Sequence, residues 1–142
     1  MSGFVLDTNV ISETLRPRPN ANVSSWVKGQ PRSLQFLSVI SVGQLRRGFI
    51  LMPPVEHRTR LEQWLEHYLL PTFADRILPV TVSIADRWGV LDAQSQLRGR
   101  PLNTADGIIA ATALDYGLTV VTRNVKDFSG LGVTVLNPWD SA

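Results

Sequence analysis

Asp7, Asp106, Asp127 and Asn124 occupy positions from which side chains can meet if the chain folds as alternating strands and helices. Asp7 directly follows the apolar triplet Phe4-Val5-Leu6, while Asn124 and Asp127 follow the β-branched run Thr119 to Thr122. Asp106 opens a helical stretch whose N-terminus can face the same side. In open parallel sheets the ligand crevice lies beyond the carboxyl ends of the strands, where the strand order switches, so these positions can converge. Crowded carboxylates repel unless a cation joins them, and Mg²⁺ and Mn²⁺ are hard ions that prefer oxygen ligands; such a site suits hydrolysis of a phosphate ester. Taken singly, the same residues also have structural readings. Asp7 can cap a helix, Asp106 can complement a helix dipole, and Asn124 and Asp127 can form turns.

The elements that would position these residues follow from periodicity and stop signals. The strand Phe4-Val5-Leu6 leads through the capping side chains of Asp7-Thr8-Asn9 into a helix carrying Val10, Ile11 and Leu15, ended by Pro17 and Pro19. A second short helix runs from Asn20 to about Lys28, where Gly29 and Pro31 stop it. Ser33 to Ser38 reads as a strand, with Ser41 as N-cap of a helix carrying Val42, Leu45, Phe49 and Met52. Leu61, Trp64, Leu65, Tyr68 and Leu69 give the strongest amphipathic pattern, closed by Pro71. Arg76 to Val80 reads as a strand, and Ala85, Trp88 and Leu91 as the inward stripe of the next helix. Thr104 caps a helix from Ala105 to Tyr116 stopped by Gly117, and Thr119 to Thr122 and Val133 to Leu136 are the last strands. The expected fold class is α/β, a mostly parallel central sheet with helices on both faces, forming one domain over residues 1–142.

Composition narrows the chemistry further. With no cysteine, disulfides, thiolate zinc sites and cysteine nucleophiles are excluded, so a metal would need oxygen or histidine ligands. His57 and His67 match no metal pattern. The N-terminus has no basic leader and no apolar stretch is long enough to span a bilayer, which makes the cytoplasm the expected compartment. A formal charge of +2 tolerates a polyanionic partner without demanding one. Arginines fall in pairs (Arg16 and Arg18, Arg46 and Arg47, Arg58 and Arg60, Arg98 and Arg100), which read either as solvated helix ends or as phosphate contacts.

Three segments, Leu6 to Glu13, Leu37 to Gly48 and Asn103 to Phe128, with the closing Asn137-Pro138-Trp139, resemble the motifs of PIN domains in VapC and FitB toxins. Leu-Asp-Thr-Asn alone is weakly specific; joined in order to Ala-Asp-Gly-Ile-Ile-Ala-Ala-Thr-Ala and Val-Val-Thr-Arg-Asn-Val-Lys-Asp-Phe it is strong, and the similarity runs from Phe4 to Trp139. The resemblance implies a metal-dependent endoribonuclease toxin of a type II toxin–antitoxin module, using Mg²⁺ or Mn²⁺, forming a homodimer and binding a VapB-like antitoxin. Its acidic quartet falls on Asp7, then Gln44, then Asp106, then Asn124, with Asp127 nearby as an alternative donor and Asn9 and Thr8 supporting Asp7. Arg123 is the first candidate for an RNA phosphate contact.

Gln44 departs from the pattern, which is an acid, three intervening residues and a glycine, here Gly48. An amide carbonyl still accepts or coordinates but carries no charge, so metal affinity should fall and activity should be reduced. Glu13 offers a replacement acid, against its reading as a solvated helix carboxylate. The rival from another class is a weak or inactive PIN-fold protein that acts by binding its antitoxin. A phosphotransferase with Asp7 as nucleophile is disfavoured, because Asn9 stands where that chemistry wants a second acid. Neither a phosphate-binding loop nor a dinucleotide fingerprint is present.

Overall fold

The computed structural model describes residues 2–140. Five parallel strands, β1 (Phe4–Leu6), β2 (Gln35–Ser38), β3 (Ile77–Leu78), β4 (Thr119–Val121) and β5 (Val135–Leu136), lie in the order β3-β2-β1-β4-β5. The chain lays β2 and β3 to one side of β1 and later returns to lay β4 and β5 on the other. The switch in strand order therefore falls between β1 and β4, whose register pairs Leu6 with Val121.

Alternation along the central strands sends neighbouring side chains to opposite faces, and each face builds its own core. Val5 and Val120 join Ile84 and Leu91 of α6 (Val82–Leu97), Ile109 and Ala113 of α7 (Thr104–Tyr116), and Phe128. Leu6 and Val121 join Val10 and Ile11 of α1 (Thr8–Thr14), Val23 of α2 (Ala21–Gly29), Leu45 and Phe49 of α3 (Val39–Leu51), and Leu65 and Leu69. The α/β sheet with helices on both faces is thus as the sequence pattern implied. Trp26 sets its ring edge-on to Phe4 at 4.9 Å, and Trp64 stacks with Tyr68 at 6.2 Å.

Local details differ from the sequence expectations for identifiable reasons. Ser38, not Ser41, caps α3: its hydroxyl accepts from the Ile40 N–H at 3.1 Å, and the helix starts at the strand's last residue. Ser41 lies one turn inside, fully buried, its hydroxyl without a partner among the described residues. Asn103, not Thr104, caps α7, accepting from the Asp106 N–H at 3.2 Å. Ala85 is exposed and Ile84 takes its place in the buried stripe of α6. Pro71 does not end its helix at once: α4 (Glu56–Trp64) widens into a π-helical stretch, Leu65–Leu69, and closes in α5 (Leu70–Thr72), which contains the proline. A proline ring clashes with the carbonyl four residues back, and the wider turn, with Leu70 N–H on Leu65 O, makes room for it. Strand β3 is only Ile77–Leu78, against the expected Arg76 to Val80. No helix among the described residues is long and apolar enough to cross a membrane.

A candidate acidic site at the strand switch

Asp7 leaves the carboxyl end of β1 and serves as N-cap of α1, its Oδ1 accepting from the Thr8 N–H at 2.8 Å. Its backbone N–H continues the ladder to Val121 O at 2.9 Å, so the residue is fixed by the sheet before its side chain makes a contact. The carboxylate is only 5% exposed. The capping role read from the sequence is filled by a buried carboxylate.

The Leu6–Val121 register places Thr122 beside Asp7, and the fully buried Thr122 hydroxyl donates to Asp7 Oδ2 at 2.8 Å. The Thr122 hydroxyl oxygen in turn accepts from Asn9 Nδ2 at 3.2 Å and from the Asn124 N–H at 3.0 Å. Asn9 Nδ2 also reaches Asp7 Oδ2 at 3.3 Å, and Asn9 Oδ1 accepts from the Arg123 N–H at 3.3 Å. Asn9 and Thr122 together tie α1 to the end of β4 through the carboxylate between them. Sequence reasoning placed Thr122 in a strand but missed this role, because the β1–β4 register that brings it to Asp7 spans more than a hundred residues.

Gln44, on α3, is brought to the same place: its Oε1 accepts from the Thr8 hydroxyl. Thr8 thus couples the cap of α1 to the middle of α3. Asp106 stands in the first turn of α7, half-buried, where the helix N-terminus is held by the Asn103 side chain. The following Gly107 is forced by packing, since a Cβ there would lie 2.8 Å from Trp88 Cδ1 and 2.9 Å from Leu102 Cδ2. The close approach of Trp88 and Leu102 sets the depth at which this turn sits.

Both carboxyls are pushed up from their ordinary value. Burial is the main cause for Asp7, offset by the Thr122 hydroxyl and the Thr8 N–H and reinforced by the charge of Asp127. For Asp106, burial comes first, then the charge of Asp7, then that of Asp127, raising it to about 6. The charge of Asp7 thus reaches Asp106, and that of Asp127 reaches both. Asp127, exposed on the 3-10 turn Val125–Phe128, contributes charge from the rim, and its N–H bonds to Asn124 O at 3.0 Å. Arg123 is exposed and lies over the Trp139 ring at 5.3 Å.

Glu13 is neither solvated nor part of this site. It is 6% exposed, and its Oε2 accepts from the Asn20 N–H at 2.8 Å, bracing the turn between α1 and α2. His57 and His67 are exposed. Among the described residues no group of three or more histidines or acids is arranged to hold a metal ion. The donor set at the switch point is two carboxylates with amide and hydroxyl oxygens around them.

Fold and site together define an open parallel α/β protein with a paired-acid crevice at its strand switch. The family model for the PIN domain matches residues 4–132, and the chain belongs to that family. It is 41% identical to Toxin FitB of Neisseria gonorrhoeae, over 96% of this chain and 98% of that protein. It is 39% identical to VapC ribonuclease Y4jK of Sinorhizobium fredii, over 98% of this chain and 99% of that one. A solved structure of FitAB bound to an IR36 DNA fragment superposes with a TM-score of 0.91 at 37% identity, covering 98% of this chain and 97% of the other.

Proposed function

We propose that the chain is a divalent-ion-dependent endoribonuclease toxin, with Asp7 and Asp106 as the paired acids of its catalytic site. The observation that carries the reading is the carboxylate of Asp7, buried at the end of β1, oriented by Thr122 and Asn9 and near enough for its charge to act on Asp106. Likeness along the whole chain to a protein named as a VapC ribonuclease supports RNA as the substrate.

The residues suit a hard cation. Two carboxylates raised by burial and by neighbouring acids are relieved when a positive charge joins them, and Mg²⁺ commonly takes only one or two protein carboxylates together with substrate phosphates. Asp7 and Asp106 would hold the ion, with Asn124 or Asp127 as further oxygen donors. Such an ion, when bound, neutralises phosphate charge and makes water more acidic. The protein's share is positioning: Thr122 and Asn9 fix one Asp7 oxygen, the Thr8 N–H fixes the other, and Trp88 and Leu102 hold the turn that presents Asp106. The overall change is hydrolysis, in which the oxygen of water bonds to phosphorus, one ester P–O bond breaks and the leaving oxygen takes up a proton.

Gln44 lowers the negative charge of the crevice by one unit relative to an acid at that place, and Thr8 keeps its carbonyl oxygen oriented. We take the chain to retain weakened activity and to bind a VapB-like antitoxin as its protein partner, in a homodimer; the two-component FitAB assembly supports such a partner. The rival reading, a protein that only binds its antitoxin, draws on the same neutral Gln44. Mn²⁺-dependent RNA cleavage by the wild type, Gln44→Glu and Asp7→Ala separates the two. The proposal expects cutting by the wild type, more by Gln44→Glu and none by Asp7→Ala. Tight antitoxin binding with no cutting by the wild type would establish the rival, and no gain in Gln44→Glu would refute the charge argument.

A further inference from the structure

Past β5 the chain folds back beside the end of β4. The Thr122 N–H bonds to Leu136 O at 3.0 Å, and from that register Trp139 comes alongside Arg123. Several contacts fix the tryptophan there. The Asn137 side chain accepts from the Trp139 N–H at 2.9 Å, closing a turn over the buried Pro138. Asn22 of α2 donates its side-chain amide to Trp139 O at 2.9 Å, and the indole packs against the core built by Leu6, Val10 and Val23. Over this ring lies the Arg123 guanidinium, its Cζ 5.3 Å from the centroid and so within the range of a cation–π contact.

The backbone of Arg123, by contrast, belongs to the acids. Its neighbours in the chain are Thr122, whose hydroxyl is 2.8 Å from Asp7 Oδ2, and Asn124, whose N–H is 3.0 Å from that hydroxyl. Its own N–H bonds to Asn9 Oδ1 at 3.3 Å, and the nitrogen of the same amide is 3.3 Å from Asp7 Oδ2. From there an arginine side chain is long enough to reach the carboxylates, which a guanidinium fork fits well. Yet among the described residues Arg123 forms no ion pair, and neither Asp7 nor Asp106 forms one. The charges that act on the two raised carboxyls are those of acids alone. The cation closest in sequence to Thr122 lends them no relief, and the aromatic ring is what it touches instead.

We propose that Trp139 is a positioning residue whose ring holds the Arg123 guanidinium off Asp7 and Asp106 and leaves their oxygens to a divalent cation. This rests on the divalent-ion reading above and adds to it the device that keeps a built-in competitor out of the site. A guanidinium on the carboxylates would occupy the lone pairs that a hard ion needs, and two cations there would repel each other. Being part of the same chain, the competitor acts at a high effective concentration, so that its exclusion matters at any concentration of the ion. Arginine suits the docked position because its planar, weakly hydrated guanidinium stacks on aromatic faces. If the ring served only to pack the end of the chain, its loss would lower stability without Arg123 having any part in the effect on ion binding.

The test is Mn²⁺ binding by the full chain, followed through the loss of the electron paramagnetic resonance signal of the free ion. The proteins are the wild type, Trp139→Leu, Trp139→Phe, Trp139→Leu combined with Arg123→Gln, and Asp7→Ala, each also melted without added ion. Losing an exposed cation–π contact corresponds to about a five-fold change, so Trp139→Leu should bind Mn²⁺ about five-fold more weakly than the wild type. Trp139→Phe keeps an aromatic face and should stay closer to the wild type. Adding Arg123→Gln to Trp139→Leu should restore the wild-type affinity, while any loss of melting temperature caused by Trp139→Leu remains. Wild-type affinity in Trp139→Leu would overturn the proposal. A double variant as weak as Trp139→Leu would overturn it too, since the ring would then serve the fold alone. Both results leave ion binding by the wild type standing. A wild type that binds no Mn²⁺, or no more tightly than Asp7→Ala, would overturn the divalent-ion reading and this inference with it.

Discussion

Replacing Thr122 by valine keeps the buried shape and deletes one hydroxyl, and that hydroxyl is the hub of the site. It donates to Asp7 Oδ2 at 2.8 Å and accepts from Asn9 Nδ2 and the Asn124 N–H. Asn124 is exposed, so water can take over its N–H; Asp7, 5% exposed, has no such substitute. A hydrogen bond to a charged group contributes about 1.5–3 kcal/mol, which for a domain of this size corresponds to a fall in Tm of roughly 3–12 °C. The Thr122 hydroxyl lowers the Asp7 carboxyl, so its removal raises that carboxyl further. The loss of stability should therefore be full where Asp7 is ionised in both proteins and shrink in acid where it is protonated in both. Urea unfolding of wild type, Thr122→Val, Asp7→Asn and the double variant between about pH 5 and 8 measures this as a double-mutant cycle. A loss independent of pH, or one undiminished in the Asp7→Asn background, would refute the claim that the hydroxyl acts on the Asp7 carboxylate.

Other expectations follow from the same geometry. Asp106 has a carboxyl at about 6 against an ordinary 3.8, so in this range the folded state holds more protons than the unfolded one. Stability should fall as pH rises from 4 to above 6, by on the order of 1–2 kcal/mol after allowing for the group's partial solvation, and Asp106→Asn should flatten that dependence in urea titrations at each pH. Gly107→Ala would drive a methyl into Trp88 and Leu102, costing about 1–3 kcal/mol and shifting tryptophan emission; a variant with unchanged melting and emission would deny the packing that seats Asp106. Mg²⁺ or Mn²⁺ at millimolar concentration should raise the wild-type Tm and raise it less in Asp7→Ala, as binding to the folded state alone requires.

The fold was legible in the sequence because apolar runs such as Phe4-Val5-Leu6 and the stops at Gly29 and Gly117 are local signals. Asp7 was legible for a related reason, since a polar residue directly after a buried strand is already at the crevice. Thr122 was not, because its partner is decided by register between strands far apart in the chain. Helix starts were uncertain by one to three residues wherever two capping side chains compete, as Ser38 does with Ser41 and Asn103 with Thr104. Glu13 looked like a surface carboxylate because burial of an acid needs a donor, and its donor, the Asn20 N–H, exists only once α1 and α2 fold against each other.

The central claim, that Asp7 and Asp106 act together on RNA, is tested most directly by single-turnover cutting of a labelled RNA by the wild type, Asp7→Asn and Asp106→Asn, each with and without added Mn²⁺. The account predicts cutting by the wild type only when the ion is present, and its loss in both variants while they remain folded. Cutting that persists at the wild-type rate in either variant, or in the absence of any divalent ion, would contradict it.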